Sequence, residues 1–294
     1  MSEELNVLKN NVVTQMFVDT ADQNYVIARW AYHRELFLDF FWTACQALEK
    51  YLKASLLLNG RCARHQGHNL IVLFDEVEEY AADFFPSLLI QPLKLNQLTG
   101  ASKWRDETPR QFIDRFNDLG NSNNRYNVFG YTQRWEDLHH FDQMVYAVRR
   151  VAFNLDASPF INQPSGTTSP RTVREALERI KGYSPRLGSS RLDKILNSKK
   201  DDELREAGLK YNFSFAPANY EHPTGTMRIG TSATNSALYQ RIVRQADRTG
   251  PSTGDREAAE LGEWVIDQIS LPDPVKRELH SHIQTLRART QRTP

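Results

Sequence analysis

Cysteine is nearly absent from this chain of 294 residues, which contains only Cys45 and Cys62. Two cysteines cannot form the disulfide framework that stabilises small secreted proteins. Cys45 lies on an apolar helical face, where we expect a small buried hydrophobe. No apolar run approaches the ~20 residues that cross a bilayer, and the first residues lack the basic start and apolar run of a signal peptide. We therefore expect a cytoplasmic protein with no membrane partner.

A strong net charge is also missing. Lys plus Arg number 37 and Asp plus Glu number 36, so the overall charge favours neither duplex DNA nor an anionic membrane as partner. Arg outnumbers Lys, and Arg is better suited to bidentate contacts with phosphate or carboxylate. Apolar and charged fractions are ordinary for a folded globular protein.

The usual sequence signatures of nucleotide-using enzymes are absent as well. The chain has no Walker loop, no dinucleotide-binding glycine fingerprint, no nucleophile elbow and no nucleotidyltransferase Gly-Ser with paired Asp. We therefore do not expect an enzyme that uses NTP on its own, and we expect no cofactor.

A metal site is not expected either. Cys62, His65 and His68 have a spacing that could bring three zinc ligands together. A fourth ligand is not apparent nearby, and Arg61 and Arg64 add unfavourable charge beside a cation.

Helical periodicity dominates the first half of the chain. Apolar residues recur at helical spacing over 17–30 and, most clearly, over 37–55, which predicts two amphipathic helices. Gly60 can end the second helix in the left-handed conformation, and Asn69 can cap a third. The apolar run 88–98 is predicted to be helical, although it contains a proline.

Start signals mark two further helices. Thr108 supplies an N-cap, Pro109 the first helical position and Gln111 the third, which together predict a capping box. Thr132 is predicted to cap a last long helix that ends near Leu155. Proline and glycine around 158–170 are typical of a linker.

The remaining chain, 171–294, is predicted to be a smaller, mostly α-helical region. Alternating residues in 211–215 and 226–230 flank a segment rich in proline and glycine, which predicts a short β-hairpin over about 211–230. The expected fold class is thus mainly α, with a helical bundle over 1–157, a linker over 158–170 and an α-rich C-terminal region.

The segment Gln46–Ala54, with Gly60 and His68-Asn69-Leu70 in the following turn, resembles the HEPN family, which repeats these residues across the same two helices. Arg125-Tyr126, before the last long helix, resembles an Arg-Tyr pair that many HEPN domains carry there. The resemblance covers roughly 17–156, about half of the chain.

The resemblance implies an antiparallel helical bundle that often dimerises. It also implies several classes of function, because some HEPN proteins are metal-independent ribonucleases of prokaryotic defence and toxin–antitoxin systems. Others are non-catalytic partners of small nucleotidyltransferases, or ligand-binding modules. A shared fold does not choose among these functions.

The ribonuclease branch has Arg followed four to six residues later by His, near the start of the last helix. Arg134 with His139 or His140 matches this spacing at this position. In this hypothesis Arg134 stabilises the scissile phosphate and His139 takes the proton of the 2′-hydroxyl, which requires no metal. The alternative is that all three are solvated polar residues in the first turns of an amphipathic helix. Whether the protein is an enzyme therefore stays open.

Two other polar groups are candidates for contact with RNA or nucleotide. Arg125, Tyr126 and Tyr131 could form a phosphate-binding site at the mouth of the bundle, or they could tie loops to neighbouring helices. A surface around Arg29, Trp30, Tyr32 and Arg34 could stack on single-stranded RNA; the alternative is exposed side chains that lie over the bundle.

We carry two functional hypotheses from the sequence. The first is a dimeric HEPN-type protein of a prokaryotic conflict or stress system that cleaves or binds RNA. The second is a non-catalytic module that dimerises or docks a partner protein, such as a nucleotidyltransferase, or that binds a nucleotide in the bundle.

Overall fold

The computed structural model describes residues 3–95, 104–120, 124, 127–128, 130–158, 170–179, 190–198, 202–225, 230–235 and 238–291. They form a mainly α structure with one two-stranded antiparallel sheet, which confirms the expected fold class at this level. The chain divides into two compact units, one of 1–121 and 133–230, the other of 122–132 and 231–294.

The first unit begins with a longer helical segment than the sequence predicted. Helix α1 spans Glu3–Val13 and α2 spans Asp19–His33. Between them, Thr14–Val18 is one π-helical stretch whose flanking residues keep right-handed helical backbone angles, so the chain runs on without a break. Helix α3, Phe37–Leu58, follows and buries the broad apolar face that its periodicity predicted.

The turn after α3 follows the local signals in the sequence. Gly60 has a φ of 73°, the left-handed angle expected at a helix end. The side chain of Asn69 accepts backbone N–H groups at the start of α4, Leu70–Ala81, which continues as a 3₁₀ turn over Ala82–Phe84. These capping predictions are confirmed.

The predicted helix over 88–98 is wrong over 88–94, whereas Leu95 is helical. Residues 88–94 are not helical, because the backbone of Leu89 pairs instead with Glu107 in an isolated bridge. Residues 96–98 lie outside the described part. Backbone pairing with a distant residue, rather than local apolar periodicity, thus decides the conformation of this segment.

Helix α5, Pro109–Leu119, starts with the predicted capping box, since Thr108 and Gln111 each bond the other's backbone. Its end packs closely on α3: a Cβ built on Gly120 would lie 2.2 Å from the carbonyl oxygen of Phe41. Glycine at this position therefore allows two helices to approach each other.

The last long helix of the bundle, α6, spans Asp137–Val151. The prediction that Thr132 caps it is wrong, because Thr132 lies in strand β1, Tyr131–Gln133, which pairs with β2, Thr231–Ala233. The helix instead follows Glu136, and the carboxylate of Asp137 accepts the backbone N–H of Arg134 at 2.7 Å.

The predicted β-hairpin is also wrong in its described half. Residues 211–215 form turns, in which the side chain of Asn212 donates to the carbonyl of Gly208 and accepts from the N–H of Phe215. These local bonds compete with a strand ladder. Residues 226–229 lie outside the described part.

Among the described residues beyond the predicted linker, three short helices belong to the first unit: α7, Val173–Arg179; α8, Arg191–Leu196; and α9, Glu203–Leu209. Helices α8 and α9 pack on α2. The boundaries of the two units thus do not coincide with the predicted linker, of which 159–169 lie outside the described residues.

Aromatic rings fill the centre of the first unit. Phe40 of α3, Phe116 of α5 and Phe141 of α6 meet with ring centroids 5.8 to 6.2 Å apart. The cluster packs α6 against α3 and α5. It thereby fixes the position of the predicted site residues at the start of α6.

The second unit has its own apolar core. A π-helical stretch, Tyr239–Val243, continues as α10, Arg244–Ala246, and is followed by α11, Asp255–Gln268, and α12, Asp273–Thr290. Their buried residues form one cluster that includes Ile242, Ala259, Ile283 and Leu286.

Candidate functional site around Glu107

The structure places the predicted catalytic residues inside the first unit. His139 and His140, in the first turn of α6, are 1% and 0% exposed. Arg134, which precedes the helix, has a side chain that is 28% exposed. The histidines are therefore neither solvated, as the alternative interpretation held, nor open to a substrate in this conformation.

Glu107, which the sequence did not single out, joins these residues. Its carboxylate accepts two hydrogen bonds from Arg115, each 2.7 Å long. One of its oxygens also accepts from Arg134 Nη1 at 3.2 Å, and the other lies 3.1 Å from His140 Nδ1. A single buried carboxylate thus collects two guanidinium groups and one imidazole.

The ionisation of Glu107 follows from these contacts. Burial by itself raises the pKa of the carboxyl group, but hydrogen bonds from Arg115 and His140 outweigh it and lower the pKa to about 2. Glu107 is therefore charged at neutral pH, and it balances the positive charge that Arg134 was predicted to offer a phosphate.

Asp137 completes the cluster from the start of α6. Its carboxylate lies 2.7 Å from Arg115 Nη1. Burial raises the pKa of this carboxyl to about 6, and the ion pair with Arg115 opposes but does not cancel that rise. The cluster thus contains a second carboxyl that is difficult to ionise.

His139 has a different environment, made of aromatic rings. Its imidazole lies 6.2 Å from Trp104, 6.4 Å from Trp135 and 5.8 Å from Phe213, measured between centroids. Within the described part of the chain, neither ring nitrogen has a hydrogen-bond partner. Burial, and then the positive charge of Arg29, hold the pKa of His139 well below its usual range, so the ring is neutral.

The predicted phosphate site is only partly described. Arg125 and Tyr126 lie outside the described residues. Tyr131 is half-buried in β1. The prediction that these residues bind a phosphate or a nucleotide stays untested.

The residues with metal-ligand spacing are not gathered into one site where the structure describes them. His68 Nδ1 lies 3.0 Å from a carboxylate oxygen of Glu49, and Cys62 is exposed. Over the described ranges no three His, Cys, Asp or Glu side chains come close enough to hold an ion.

The structure also contains a second buried ionic cluster, in the place where the sequence suggested a surface for RNA. Arg29 is fully buried and pairs with Asp142 of α6. Its guanidinium also donates to the backbone carbonyls of Ala207 and Lys210, in and just after α9. Arg29 therefore does not belong to the predicted stacking surface, and the alternative that it lies exposed over the bundle is wrong as well; Trp30 and Tyr32 are half-buried and Arg34 is exposed.

A signal for this second cluster was present in the sequence. Asp22, Tyr25 and Arg29 recur at i, i+3 and i+7 on the same face of α2 as the buried Ala21 and Ala28. Polar residues on a helix face that is otherwise apolar indicate buried partners. Here Asp22 binds Arg149, at 3.2 Å, and Tyr25 donates to Asp142.

One open groove, of about 390 Å³, lies beside this region in the first unit. Its walls come from 90–94 and from 213–222, and they include Phe213, Tyr220 and His222. Gln143 connects the first wall to α6, since its amide bonds both backbone polar groups of Ile90. Phe213, whose ring centroid lies 5.8 Å from that of His139, is part of the groove wall.

No family model, no curated protein and no solved structure matches the chain. Among the described residues, no helix is both long enough and apolar enough to cross a membrane. The HEPN resemblance thus stays a prediction that depends on α3 and the turn after it.

Proposed function

We propose that this protein is a HEPN-type binding module without catalytic activity, in which Arg134 and His140 are held by Glu107 and His139 is an interior side chain. The observation that carries this proposal is the burial of both imidazoles together with the pairing of Arg134 to Glu107. The partner class follows from the HEPN resemblance: a protein such as a nucleotidyltransferase, in a prokaryotic defence, toxin–antitoxin or stress system.

The geometry opposes catalysis for a physical reason. A general base must come within about 2.6–3.2 Å of the proton that it removes, directly or through one water. His139 is enclosed by Trp104, Trp135 and Phe213, and His140 is held against Glu107. A 2′-hydroxyl cannot approach either ring while these contacts persist.

The charge of the cluster supports the same conclusion. Stabilising a phosphate requires positive charge that the protein has not already neutralised. Arg134 and Arg115 share the carboxylate of Glu107, and Arg115 also faces Asp137. Phosphate would therefore compete with a buried carboxylate that is already well bonded.

A cleavage assay tests the proposal. The purified protein is incubated with single-stranded and hairpin RNA in the presence of EDTA. We expect no cleavage above that of a buffer control. Cleavage by the parent protein that disappears in Arg134→Gln, but persists in a matched variant of the exposed Arg64, Arg64→Gln, would overturn it.

A metal-independent endoribonuclease is the second candidate, and one observation favours it. Arg134 and His140 both contact Glu107, so the two residue types that the reaction needs lie around one carboxylate. The side chain of Arg134 also reaches solvent. This candidate requires the 104–107 segment to move away from α6.

The two candidates differ in what Arg134→Gln should do. A nuclease would lose RNA cleavage while its circular dichroism and unfolding midpoint stay close to those of the parent. A binding module would show no cleavage before or after the substitution. Unfolding curves of both proteins ensure that lost activity is not lost folding.

A further inference from the structure

The groove of about 390 Å³ in the first unit exposes large apolar side chains on one of its walls. Ile90 and Leu93 belong to this wall, and they are 61% and 95% exposed. Apolar side chains that line a concave surface together, rather than lying singly on the outside of the molecule, mark a binding site. The volume is at the lower end of the ~300–1,000 Å³ of small-molecule sites, which indicates a small ligand.

Aromatic rings line the other wall of the groove. The imidazole of His222 has its centroid 4.6 Å from the ring of Phe213 and 4.9 Å from the ring of Tyr220, and all three residues border the groove. A flat ligand in the groove would contact aliphatic side chains on one wall and aromatic rings on the other. The shape and lining of the groove therefore suit a ligand that contains an aromatic ring.

The backbone fixes the tautomer of His222. Tyr211 has a φ of 54°, an angle that residues with a side chain rarely adopt, and its N–H donates to His222 Nδ1 at 3.2 Å. Burial, and then the positive charges of Arg29 and Lys94, lower the pKa of His222, so the ring is neutral at pH 7 and its proton is on Nε2. Within the described part of the chain no group accepts from Nε2, which leaves this N–H as a donor for a ligand.

A positive charge borders the same groove. Lys94 is exposed, and among the residues that the structure describes its ammonium has no ion pair. Lys94 lies close enough to His222 for its charge to lower the pKa of that ring. The carboxylate of Glu206 already accepts the hydroxyl of Tyr220 at 3.0 Å. The groove thus offers an anion two donors, an ammonium group and an imidazole N–H.

We propose that the groove binds a small aromatic carboxylate, whose ring lies between the two walls and whose oxygens accept from Lys94 and from His222 Nε2. One ammonium group balances the single charge of a carboxylate, whereas a phosphate monoester carries nearly two charges at neutral pH. The wall 213–222 lies beyond 17–156, the part of the chain that resembles HEPN domains, so the resemblance does not imply this site. The inference does not depend on the proposed function, because a nuclease and a binding module can both carry a ligand site.

Titration of the full chain with cinnamate, followed by saturation-transfer difference NMR of the ligand, tests the inference. Cinnamyl alcohol has the same ring and side chain without the charge and serves as the comparison ligand. We expect cinnamate to bind at least ~5-fold more tightly than the alcohol, because hydrogen bonds to a charged acceptor are stronger than those to a neutral one. A parent protein that does not bind cinnamate at millimolar concentration, or that binds the alcohol as tightly, would contradict the proposal.

Lys94→Gln should weaken cinnamate binding by ~5–10-fold and leave binding of cinnamyl alcohol unchanged, because it removes the ammonium group from an exposed side chain. Lys276→Gln is the matched control, since Lys276 is also exposed but lies on α12, in the second unit. Equal losses of affinity for cinnamate in the two variants would show that Lys94 does not hold the ligand.

A second pair of variants tests the place of binding without changing charge. Ala218 is an exposed residue of the groove wall, so Ala218→Trp should fill the groove and abolish binding of both ligands. Ala288→Trp, at an exposed position of α12, should bind cinnamate as the parent does. Circular dichroism of each variant shows whether the fold is kept. A folded Ala218→Trp variant that binds cinnamate like the parent would place the ligand elsewhere and refute the site.

Discussion

Two buried ionic clusters in the first unit differ in how completely their polar atoms are satisfied. Around Arg29 every nitrogen of the guanidinium has an acceptor: Asp142, Ala207 or Lys210. Around Glu107, three ring nitrogens have no hydrogen-bond partner within the described residues: both of His139 and Nε2 of His140.

The difference indicates different roles. A buried network with every member bonded is stable and specific, and the Arg29 cluster uses it to fasten the segment around α9 to α2 and α6. A network with unsatisfied members loses stability relative to an apolar alternative. Substitutions should therefore be costly around Arg29 and cheaper, or even favourable, among the unsatisfied atoms near Glu107.

The largest expected effect is that of Arg29→Met. It leaves the carboxylate of Asp142 buried without its ion pair, which should lower the free energy of unfolding by ~3–5 kcal/mol. Arg34→Met is the matched control, because the Arg34–Glu203 pair is exposed and should cost less than ~1 kcal/mol. Urea unfolding measures both. Equal losses of unfolding free energy in the two variants would contradict the expected difference between a buried and an exposed ion pair.

Asp137→Asn should change how the free energy of unfolding depends on pH. The pKa of Asp137 is raised from 3.8 to about 6 in the folded protein, so the contribution of this group to stability is fully present below pH ~4 and is lost as pH rises to about 6. The loss corresponds to ~3 kcal/mol. The parent should therefore lose stability relative to Asp137→Asn over that interval. A difference that stays constant from pH 4 to 6 would contradict the raised pKa.

Glu107→Gln should have the opposite pH dependence and a smaller effect. The variant keeps an acceptor for Arg115 but loses the charge, which should cost ~2 kcal/mol at neutral pH. Because the pKa of Glu107 is lowered to about 2, its contribution is present above the unfolded value of ~4.3 and is lost as pH falls towards about 2. Chemical denaturation at several pH values checks this; an advantage of the parent that grows with acid would refute it.

The smallest effects distinguish the two adjacent histidines. His139→Phe removes two unsatisfied nitrogens from an aromatic environment and should change the free energy of unfolding by less than ~1 kcal/mol, in either direction. His140→Phe breaks the contact with Glu107 and should destabilise by ~1 kcal/mol. Thermal unfolding of the two variants measures the difference in their stability. A larger loss in His139→Phe than in His140→Phe would show that His139 has a partner.

Local chemistry predicted the parts of the fold that depend on neighbouring residues. The Thr108 capping box, the Asn69 cap and the left-handed Gly60 each involve residues within a few positions, so the sequence contains the whole interaction. The strand at Thr132 depends instead on Thr231–Ala233, far along the chain, and no local signal reveals it.

In the candidate site, only the contacts between residues close together in the sequence could be predicted. Arg134 and His140 share the start of one helix, and their closeness follows from spacing. Glu107 reaches Arg134 from 27 positions earlier, and Arg29 reaches the carbonyl of Ala207 across 178 positions. The place of Arg29 on an apolar helix face indicates its burial, but the partners of Arg29 and Glu107 depend on contacts between distant segments, which periodicity does not report.

His139, the predicted catalytic base, is an interior, neutral side chain. A pH titration of the histidine ring resonances by NMR tests it directly, with His139→Phe used to assign the His139 signal. An exposed imidazole titrates with a pKa near ~6.5. We expect the His139 resonance not to move between pH 8 and 5, because burial holds its pKa well below the usual value. A His139 signal that titrates near neutral pH would contradict the claim and favour a site open to substrate.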